Sequence, residues 1–398
     1  MDLKMNESRL KEEIVIVDGL RTPIGSPYKS LKKFKAAELA AFVIQAVIKR
    51  NNINAGDIDE VILGNVVSAG LGQNMARQAA IWAGIPAKAR AITINNVCGA
   101  GLESLILGAR SILVGDANLV LCGGSESATH NPFFAERDLE QNFNPHDFKD
   151  SLIQDGLTCG IIKKHMGELV EILAKNNKIS RKEQDLFALS SHLKATKAQQ
   201  ENCFEGEVVP IKISPKNVLK TDDRPRKKIS IDNFQTLKTA FVRTGTVTAG
   251  NASSPSDGAA ICLLANKVTA GRLKLRPKAR LIKYLSIGYD PKHAFEAAIH
   301  AVNQILEKAD LRLKDIDLFE VAESFAAQSL LVQKKLNIPS ERLNVYGGDL
   351  AFGHPLGAAG ARILVTLIHA LRSKGLKRGL AVIAYGGGGA TAVIVEVV

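Results

Sequence analysis

Short apolar runs alternate with amphipathic segments along the first 125 residues. Residues 36–49 place Leu39, Val43 and Val47 at helical spacing, whereas residues 14–18 form a short β-branched run. The pattern predicts strands at 14–18, 61–67, 91–97 and 117–122, and helices at 36–49, 74–83 and 102–113. Such alternation is typical of an α/β fold with a largely parallel sheet covered on both faces.

The same alternation begins again near residue 278. Strands are predicted at 280–287, 317–322, 379–385 and 390–398, and helices at 294–308, 324–336 and 358–371. Both halves contain a Cys or His, a glycine-rich turn, a helix of small residues, a strand and paired glycines. This plan occurs in VCGAGLESLILGARSILVGDANLVLCGG and in HPLGAAGARILVTLIHALRSKGLKRGLAVIAYGG. The repetition indicates an internal duplication of units of roughly 120 residues.

The stretch between the halves, residues 126–245, has a different character. It is polar, is interrupted by five prolines and carries a basic cluster. Because long insertions in compact folds usually carry function, we expect an inserted loop domain that covers a site. The expected organisation is an N-terminal half formed by 1–125 and 246–277, the loop domain at 126–245, and a C-terminal half at 278–398.

Composition narrows the class of protein. The chain has 398 residues, of which 46% are hydrophobic and 23% charged, as in a folded protein of more than one domain. No window approaches ~18 uninterrupted apolar residues, so no membrane span is expected. The polar start, residues 1–13, lacks the apolar region of a secretory signal. Five cysteines, an odd number, argue against a disulfide scaffold and favour a cytoplasmic location.

The net charge is 52 − 40 = +12, which suggests anionic partners. Basic residues cluster early and again mid-chain: Lys29, Lys32, Lys33 and Lys35, then Arg224, Arg226, Lys227 and Lys228. These clusters are either solvated surface or a site for a phosphate-bearing small molecule. Nucleic acid is not expected, because aromatic residues make up only 5% and do not alternate with basic ones. No metal-binding motif is present, so no metal is expected.

Cys98 and His354 are the residues best placed for chemistry. Cys98 follows a predicted strand and opens a helix, where backbone N–H groups and the helix dipole stabilise a thiolate. From position alone it is either a nucleophile or a small packed residue. His354 lies between glycines at the start of the matching helix in the second half, and a neutral imidazole can accept a thiol proton. Because the duplication makes these turns equivalent, we expect the two side chains to meet.

The glycine run Gly386–Gly389 joins the last two predicted strands. Glycines leave backbone N–H groups approachable, as an oxyanion hole requires. A simple hairpin turn explains the same sequence equally well.

These segments together resemble the thiolase family, specifically its short-chain acetyl-CoA acetyltransferase type. The resemblance runs nearly from end to end. It rests on RTPIGSPYKSL (21–31), NNVCGAGLESL around Cys98, GGSES (123–127), DGLT (155–158), HMG (165–167), GTVTAGNAS (245–253), ESFAAQ (323–328) and NVYGGDLAFGHPLGAAGAR (344–362). The resemblance implies the thiolase fold: two βαβαβαββ halves in a five-layered αβαβα core, a loop domain, and a dimer or homotetramer.

The resemblance also implies a mechanism. Cys98 attacks an acyl-CoA, His354 accepts its proton, and an acyl-cysteine intermediate forms in an oxyanion hole made by the N–H groups of Cys98 and Gly386. A second acetyl-CoA then loses an α-proton, and its carbanion takes the acyl group to give acetoacetyl-CoA. Coenzyme A is therefore implied as part of the substrate rather than as a permanently bound cofactor. The implied CoA contacts are His165, Met166, Arg226 and Ser253.

Two positions depart from the family pattern. The family usually has a second cysteine in a Cys-x-Gly-Gly-Gly motif, where it shuttles the α-proton, and this chain has Ala384 there. The Asn of Asn-Glu-Ala-Phe, which holds an oxyanion-hole water with the catalytic His, is replaced by Ala322. Both losses fall on the condensation step, so we expect that step to be impaired or altered.

Three functions remain open. The protein is a thiolase-type acyltransferase with a weak condensation step, or it transfers the acyl group from Cys98 to a different acceptor. The third possibility is a non-catalytic subunit that binds CoA. The presence of Cys98 and His354 argues against the third, since a scaffold needs neither residue.

Overall fold

The structure is a computed structural model that describes residues 13–136 and 148–398. The expectation that the chain begins without a secretory signal concerns residues 1–12 and lies outside the described residues. Residues 137–147 of the expected loop domain lie outside them as well.

Among the described residues, the first half contains five strands, three helices that cover them and one further short helix. Their bounds are β1 (Ile14–Arg21), α1 (Ala36–Arg50), β2 (Glu60–Gly64), α2 (Met75–Trp82), β3 (Arg90–Ile94), α3 (Ala100–Val114), β4 (Leu119–Ser127) and, after the loop domain, β11 (Asp257–Asn266) and the short helix α7 (Lys267–Arg272). All the predicted elements of this half are present. Strand β11 was not predicted, although every one of its residues is buried.

The segment expected to form the loop domain contains helices and short strands. Its described residues form three short two-stranded ribbons, two long helices, one short helix and a π-helical turn, Leu152–Leu157. The elements are β5 (Phe133–Phe134), β6 (Lys149–Asp150), β7 (Thr158–Cys159), β8 (Lys164–His165), α4 (Met166–Asn176), α5 (Arg181–Gln200), β9 (Ile211–Ser214), β10 (Asn217–Leu219) and α6 (Ile231–Gln235).

The second half has the same order of elements as the first, except that the strand equivalent to β3 is reduced to a single bridge. It contains β12 (Ala279–Gly288), α8 (Ala297–Lys308), β13 (Leu318–Val321), α9 (Ala326–Leu336), α10 (Asp349–Phe352), α11 (Leu356–Ser373), β14 (Arg378–Tyr385) and β15 (Gly389–Val397). A single parallel bridge between Phe319 and Leu343 stands where the first half has β3. The predicted duplication is therefore present in the order of the elements.

In the described part of the chain, nine strands are hydrogen-bonded in the order β13-β14-β15-β12-β1-β11-β4-β2-β3. The strands of the two halves are joined by two residue pairs between β1 and β12, and each half supplies one β layer. The prediction of a largely parallel sheet is wrong, because only three of its eight strand pairings are parallel. Parallel neighbours need a crossover helix between them. The last strands of each half lack one: β15 follows β14 through a tight turn, and β11 returns from the loop domain.

The halves stack in five layers, with α3 and α11 in the middle. Both helices contact strands of each half, α1 and α2 cover the outer face of the first half, and α8 covers that of the second. The fold is therefore the αβαβα arrangement of an α/β protein. The window Val97–Val114 has the length and apolar composition of a membrane-spanning helix, but it is a core helix packed against β4 and α11.

Glycines bring the two central helices into close contact. A Cβ on Gly101 of α3 would lie 2.7 Å from the carbonyl oxygen of Gly357, and a Cβ on Gly360 of α11 would lie 2.7 Å from the backbone nitrogen of Leu102. Side chains at these positions would push the helices apart. Because Cys98 and His354 precede these helices, the close packing brings the two turns together.

Candidate active site

A strained turn presents Cys98 at the start of α3. Strand β3 ends at Ile94, three residues earlier than predicted, because the Asn95 side chain accepts a hydrogen bond from the backbone N–H of Val97 at 2.9 Å. Val97 has a φ of 47°, a left-handed conformation that a β-branched residue rarely adopts. Such strain is stored at functional sites. The turn places Cys98 against the N-terminal end of α3, as predicted from its sequence position.

A glycine turn holds His354 at the start of α11. Gly353 has a φ of 97°, and a Cβ on it would lie 2.0 Å from Ser256 Oγ, so only glycine fits. The backbone N–H of His354 donates to the carbonyl oxygen of Ser254 at 2.8 Å. The element before this turn is the short helix α10 rather than a strand, which distinguishes it from the turn of Cys98.

The imidazole of His354 lies between a thiol and a carboxylate. Its Nδ1 is 3.4 Å from Asp349 Oδ2, and among the described residues neither ring nitrogen makes a well-aligned hydrogen bond. Burial lowers the pKa of His354, but the charges of Cys98 and Asp349 outweigh burial and raise this pKa to about 10. The ring is therefore protonated at neutral pH when it faces a thiolate.

Most of the residues predicted to form the site line one narrow cavity of about 50 Å³. Cys98, His354, Ala384 and Gly386 line it. Apolar side chains complete its wall: Val97, Leu157, Phe295, Phe325 and Leu356. A thiol, an imidazole and a glycine backbone around a small apolar space can bind and transfer a short acyl group.

The two substituted positions lie differently with respect to this cavity. Ala384 is part of its wall. Ala322 is buried and is not among the residues that line the cavity, and its backbone N–H donates to the carbonyl oxygen of Val382 at 3.0 Å. The neighbouring Tyr385 also lines the cavity, and its hydroxyl donates to the carbonyl oxygen of Ile287 at 3.4 Å.

The four residues expected to contact CoA fall into three places. Met166 and Ser253 line the cavity of Cys98. His165 caps α4 by accepting a hydrogen bond from Gly167 at 3.0 Å, and burial lowers its pKa.

Arg226 lies in a separate pocket, together with Arg224 and His192. Burial and the two arginines lower the pKa of His192 to about 4, so the histidine is neutral there and the positive charge belongs to the arginines. The pocket thus combines fixed positive charge with an apolar wall formed in part by Leu237 and Leu350.

Two buried carboxylates that contact His354 or the start of α11 were not predicted. Asp349 contacts His354, as described above. Glu126 accepts hydrogen bonds from the backbone of Val66, Val67 and Gly357 and from the side chain of Asn65, and burial raises its pKa to about 7. Both acids lie within motifs quoted above, and for Asp349 the single charge in the segment GGDLAF was the local signal.

The other cysteines do not reach the cavity. Cys122 and Cys262 are buried between β4 and β11, Cys159 packs in the core of the loop domain, and Cys203 is half-buried beside the central core.

Nearly the whole chain matches one protein family. Residues 14–268 match the family Thiolase, N-terminal domain, and residues 275–397 match Thiolase, C-terminal domain. A probable acetyl-CoA acyltransferase of Staphylococcus aureus (strain COL) is 42% identical over 388 residues, covering 96% of this chain and 98% of that protein.

Solved structures of other proteins are similar to this one over nearly the whole chain. The Bacillus anthracis acetyl-CoA acetyltransferase is 37% identical, with a TM-score of 0.94 over 97% of this chain and 99% of that one. Human mitochondrial 3-ketoacyl-CoA thiolase, solved in complex with CoA, is 36% identical, with a TM-score of 0.94 over 98% and 99%.

Proposed function

Because this chain belongs to the thiolase family of acyltransferases, we propose that it moves a short acyl group from acyl-CoA through an acyl-cysteine on Cys98. We propose further that its condensation step is impaired, or that the acyl group passes to another acceptor. The observation that carries the proposal is that Cys98, His354 and Gly386 surround one cavity, from which the second catalytic cysteine of the family is missing at Ala384.

Acylation needs only groups that this chain retains. The Cys98 thiolate attacks the thioester carbonyl, and the developing oxyanion is stabilised by the N–H groups of Cys98 and Gly386. The carbon–sulfur bond to CoA then breaks as the bond to Cys98 forms. His354 gives the proton that it took from Cys98 to the departing CoA sulfur, so the step ends with acyl-cysteine, free CoA and a neutral imidazole.

Condensation needs groups that this chain lacks. An acetyl-CoA α-proton must be removed, and alanine at position 384 offers no base. Loss of a general acid/base typically lowers a rate by about 10²–10⁴-fold, and loss of an oxyanion-hole donor by about 10²–10³-fold. The two losses are not additive when the groups act together. An acceptor that needs no proton removed from carbon avoids the first loss altogether, which favours the alternative of a different acceptor.

CoA binding is proposed to span both pockets. Met166 and Ser253 line the reactive cavity, while Arg226 and Arg224 supply positive charge in the neighbouring pocket. Guanidinium groups suit the phosphates of CoA, because they form paired charged hydrogen bonds with phosphate oxygens. His165 precedes Met166 in the chain, and its ring stacks on that of Phe241 with 4.8 Å between the ring centroids. We propose that it also borders the bound CoA.

We also propose a homo-oligomer, a dimer or a tetramer. The edge strand β3 is only partly buried and exposes Ile92, and Trp82 at the end of α2 is half exposed. An open strand edge with exposed apolar residues commonly pairs with another chain. The proposed cytoplasmic location is supported by the five cysteines, none of which is in a disulfide.

The experiment is to incubate the protein with acetyl-CoA and measure its intact mass, then to assay acetoacetyl-CoA thiolysis. An adduct of about 42 Da that maps to Cys98, with slow thiolysis, is the expected result. An adduct without any thiolysis favours a different acceptor, which is then sought with amine, alcohol and thiol nucleophiles. Absence of the adduct would overturn the proposal and favour the non-catalytic CoA-binding subunit.

A further inference from the structure

We propose that Asp349 is a positioning residue of this reaction, which holds His354 as an imidazolium with its Nε2 directed to Cys98. The three side chains then form a Cys98–His354–Asp349 array. The inference rests on the proposed function, because it assigns a role within acylation of Cys98. It concerns the ionisation of the resting protein, however, and can be tested without any acyl-CoA.

The two carboxylate oxygens of Asp349 contact different groups. Its Oδ2 lies 3.4 Å from His354 Nδ1 and accepts a hydrogen bond from the backbone N–H of Glu323 at 3.0 Å. Its Oδ1 accepts a hydrogen bond from Arg362 Nη2 at 2.8 Å. Because Nδ1 faces the carboxylate, Nε2 is the ring nitrogen left for Cys98. A third group that orients the base is the usual arrangement for an activated nucleophile.

Neighbouring positive charges keep Asp349 ionised although it is buried. Asp349, Arg362 and Glu320 are all buried, and Arg362 Nη1 lies 3.7 Å from Glu320 Oε2. Burial by itself raises the pKa of Asp349, but the charges of Arg362 and His354 lower this pKa to about 2. Burial raises the pKa of Glu320 far above its ordinary value. Glu320 therefore carries the proton, and Asp349 carries the negative charge that faces His354.

No other charged group in contact with His354 competes with this assignment among the described residues. Cys98 and Asp349 act on the imidazole directly. The groups further out are Arg362, Glu320 and Glu323 behind Asp349, Arg224 against Gly353, and Tyr385 on the cavity wall. Removing Asp349 leaves a buried ring whose charged form is stabilised only by the thiolate.

The array has a chemical consequence for acylation. With Asp349 ionised, the thiol proton resides on His354 before the substrate arrives, so attack by sulfur needs no proton transfer. The Nε2 proton is then available to the CoA sulfur as the thioester bond breaks. Without Asp349, the neutral thiol–imidazole pair is favoured, and the thiolate must form during the reaction.

The test measures alkylation of Cys98 by iodoacetamide against pH, by peptide mass spectrometry. In the unaltered protein the rate should already be on a plateau at neutral pH. In Asp349→Asn it should fall at least about tenfold at pH 7 and recover only at alkaline pH, since an opposite charge at this range commonly moves a pKa by about 1 to 3. Asp349→Glu keeps the charge and should restore most of the rate.

The matched control is Asp222→Asn. Asp222 is also buried and paired to an arginine, with 2.6 Å between Arg21 Nη1 and its Oδ1, but it does not contact His354. This variant should lose stability and leave the pH profile of Cys98 unchanged. The proposal is overturned if Asp349→Asn is folded and has the profile of the unaltered protein, or if Asp222→Asn shifts the profile equally.

A second measurement decides the matter if Asp349→Asn does not fold. In the unaltered protein labelled with ¹⁵N-histidine, both ring nitrogens of His354 should show imidazolium shifts at pH 8, with the signal assigned by its loss in His354→Gln. A neutral imidazole at pH 8 would overturn the inference. Failure of acetyl-CoA to acylate Cys98 while this array is observed would instead refute the proposed function alone.

Discussion

Replacing Ala384 with cysteine should return part of the missing condensation chemistry. Ala384 lines the cavity shared by Cys98 and His354, and its cross-strand neighbour on β15 is the equally small Ala390. The cavity of about 50 Å³ exceeds the ~15 Å³ needed to hold one water-sized group, so an added sulfur fits without moving the strand. The substitution therefore tests chemistry and leaves the fold intact.

The expected gain follows from what a general acid/base contributes. That contribution is about 10²–10⁴-fold, but Ala322 still leaves one oxyanion site incomplete. We therefore expect thiolysis of acetoacetyl-CoA to rise by about 10-fold or more in Ala384→Cys, and further when Ala322→Asn is added. The readout is kcat, measured with reductant present to prevent a disulfide with Cys98.

The control is Ala384→Ser, which has nearly the same size but a hydroxyl that is too weak an acid for the proton transfer. Acylation of Cys98 by acetyl-CoA should be equal in all these variants, because that half-reaction does not use residue 384. The reasoning is refuted if Ala384→Cys acylates normally and yet thiolysis does not increase. It is refuted equally if the unaltered protein already performs thiolysis as fast as the variant.

Three further predictions test the site and its support. Cys98→Ser should abolish the acetyl adduct seen by intact mass, and an adduct that persists would place the nucleophile elsewhere. Burial raises the pKa of Glu126 in the folded protein to about 7, against an ordinary value of 4.5. Protonation of Glu126 therefore contributes about 3 kcal/mol to the free energy of unfolding. This contribution is complete below about pH 4.5 and is lost as the pH rises through 7. Glu126→Gln should remove this part of the pH dependence of the unfolding free energy, which is measured by denaturant titration at pH 5 and pH 8. An unchanged pH dependence in Glu126→Gln would contradict the prediction. Gly353→Ala should lower both stability and acylation, because its Cβ would lie 2.0 Å from Ser256 Oγ. The control is Gly375→Ala, which is also at positive φ but has no atom within 4 Å of a Cβ, so it should lower stability alone. Equal acylation losses in these two glycine variants would show that the turn of His354 is not special.

The order of strands and helices was predictable because local periodicity records it. Nearly every predicted element is present, and errors at the ends have local causes, such as the turn of Asn95 and Val97 that ends β3 at Ile94. The direction of the strands was not predictable in this way. Strand β11 pairs with β4 in antiparallel fashion only after the chain has passed through the loop domain, and no local pattern records that return.

The elements, the duplication, the candidate pair Cys98 and His354 and the substituted positions 384 and 322 could all be read from the amino-acid sequence. The contacts of the buried acids could be known only from the fold. Glu126 bonds to Gly357 across 231 positions of the chain, and Asp349 meets His354 because Gly353 turns the backbone between them. A side chain's ionisation depends on its burial and on the charges packed around it, and these come from segments that lie far apart along the chain.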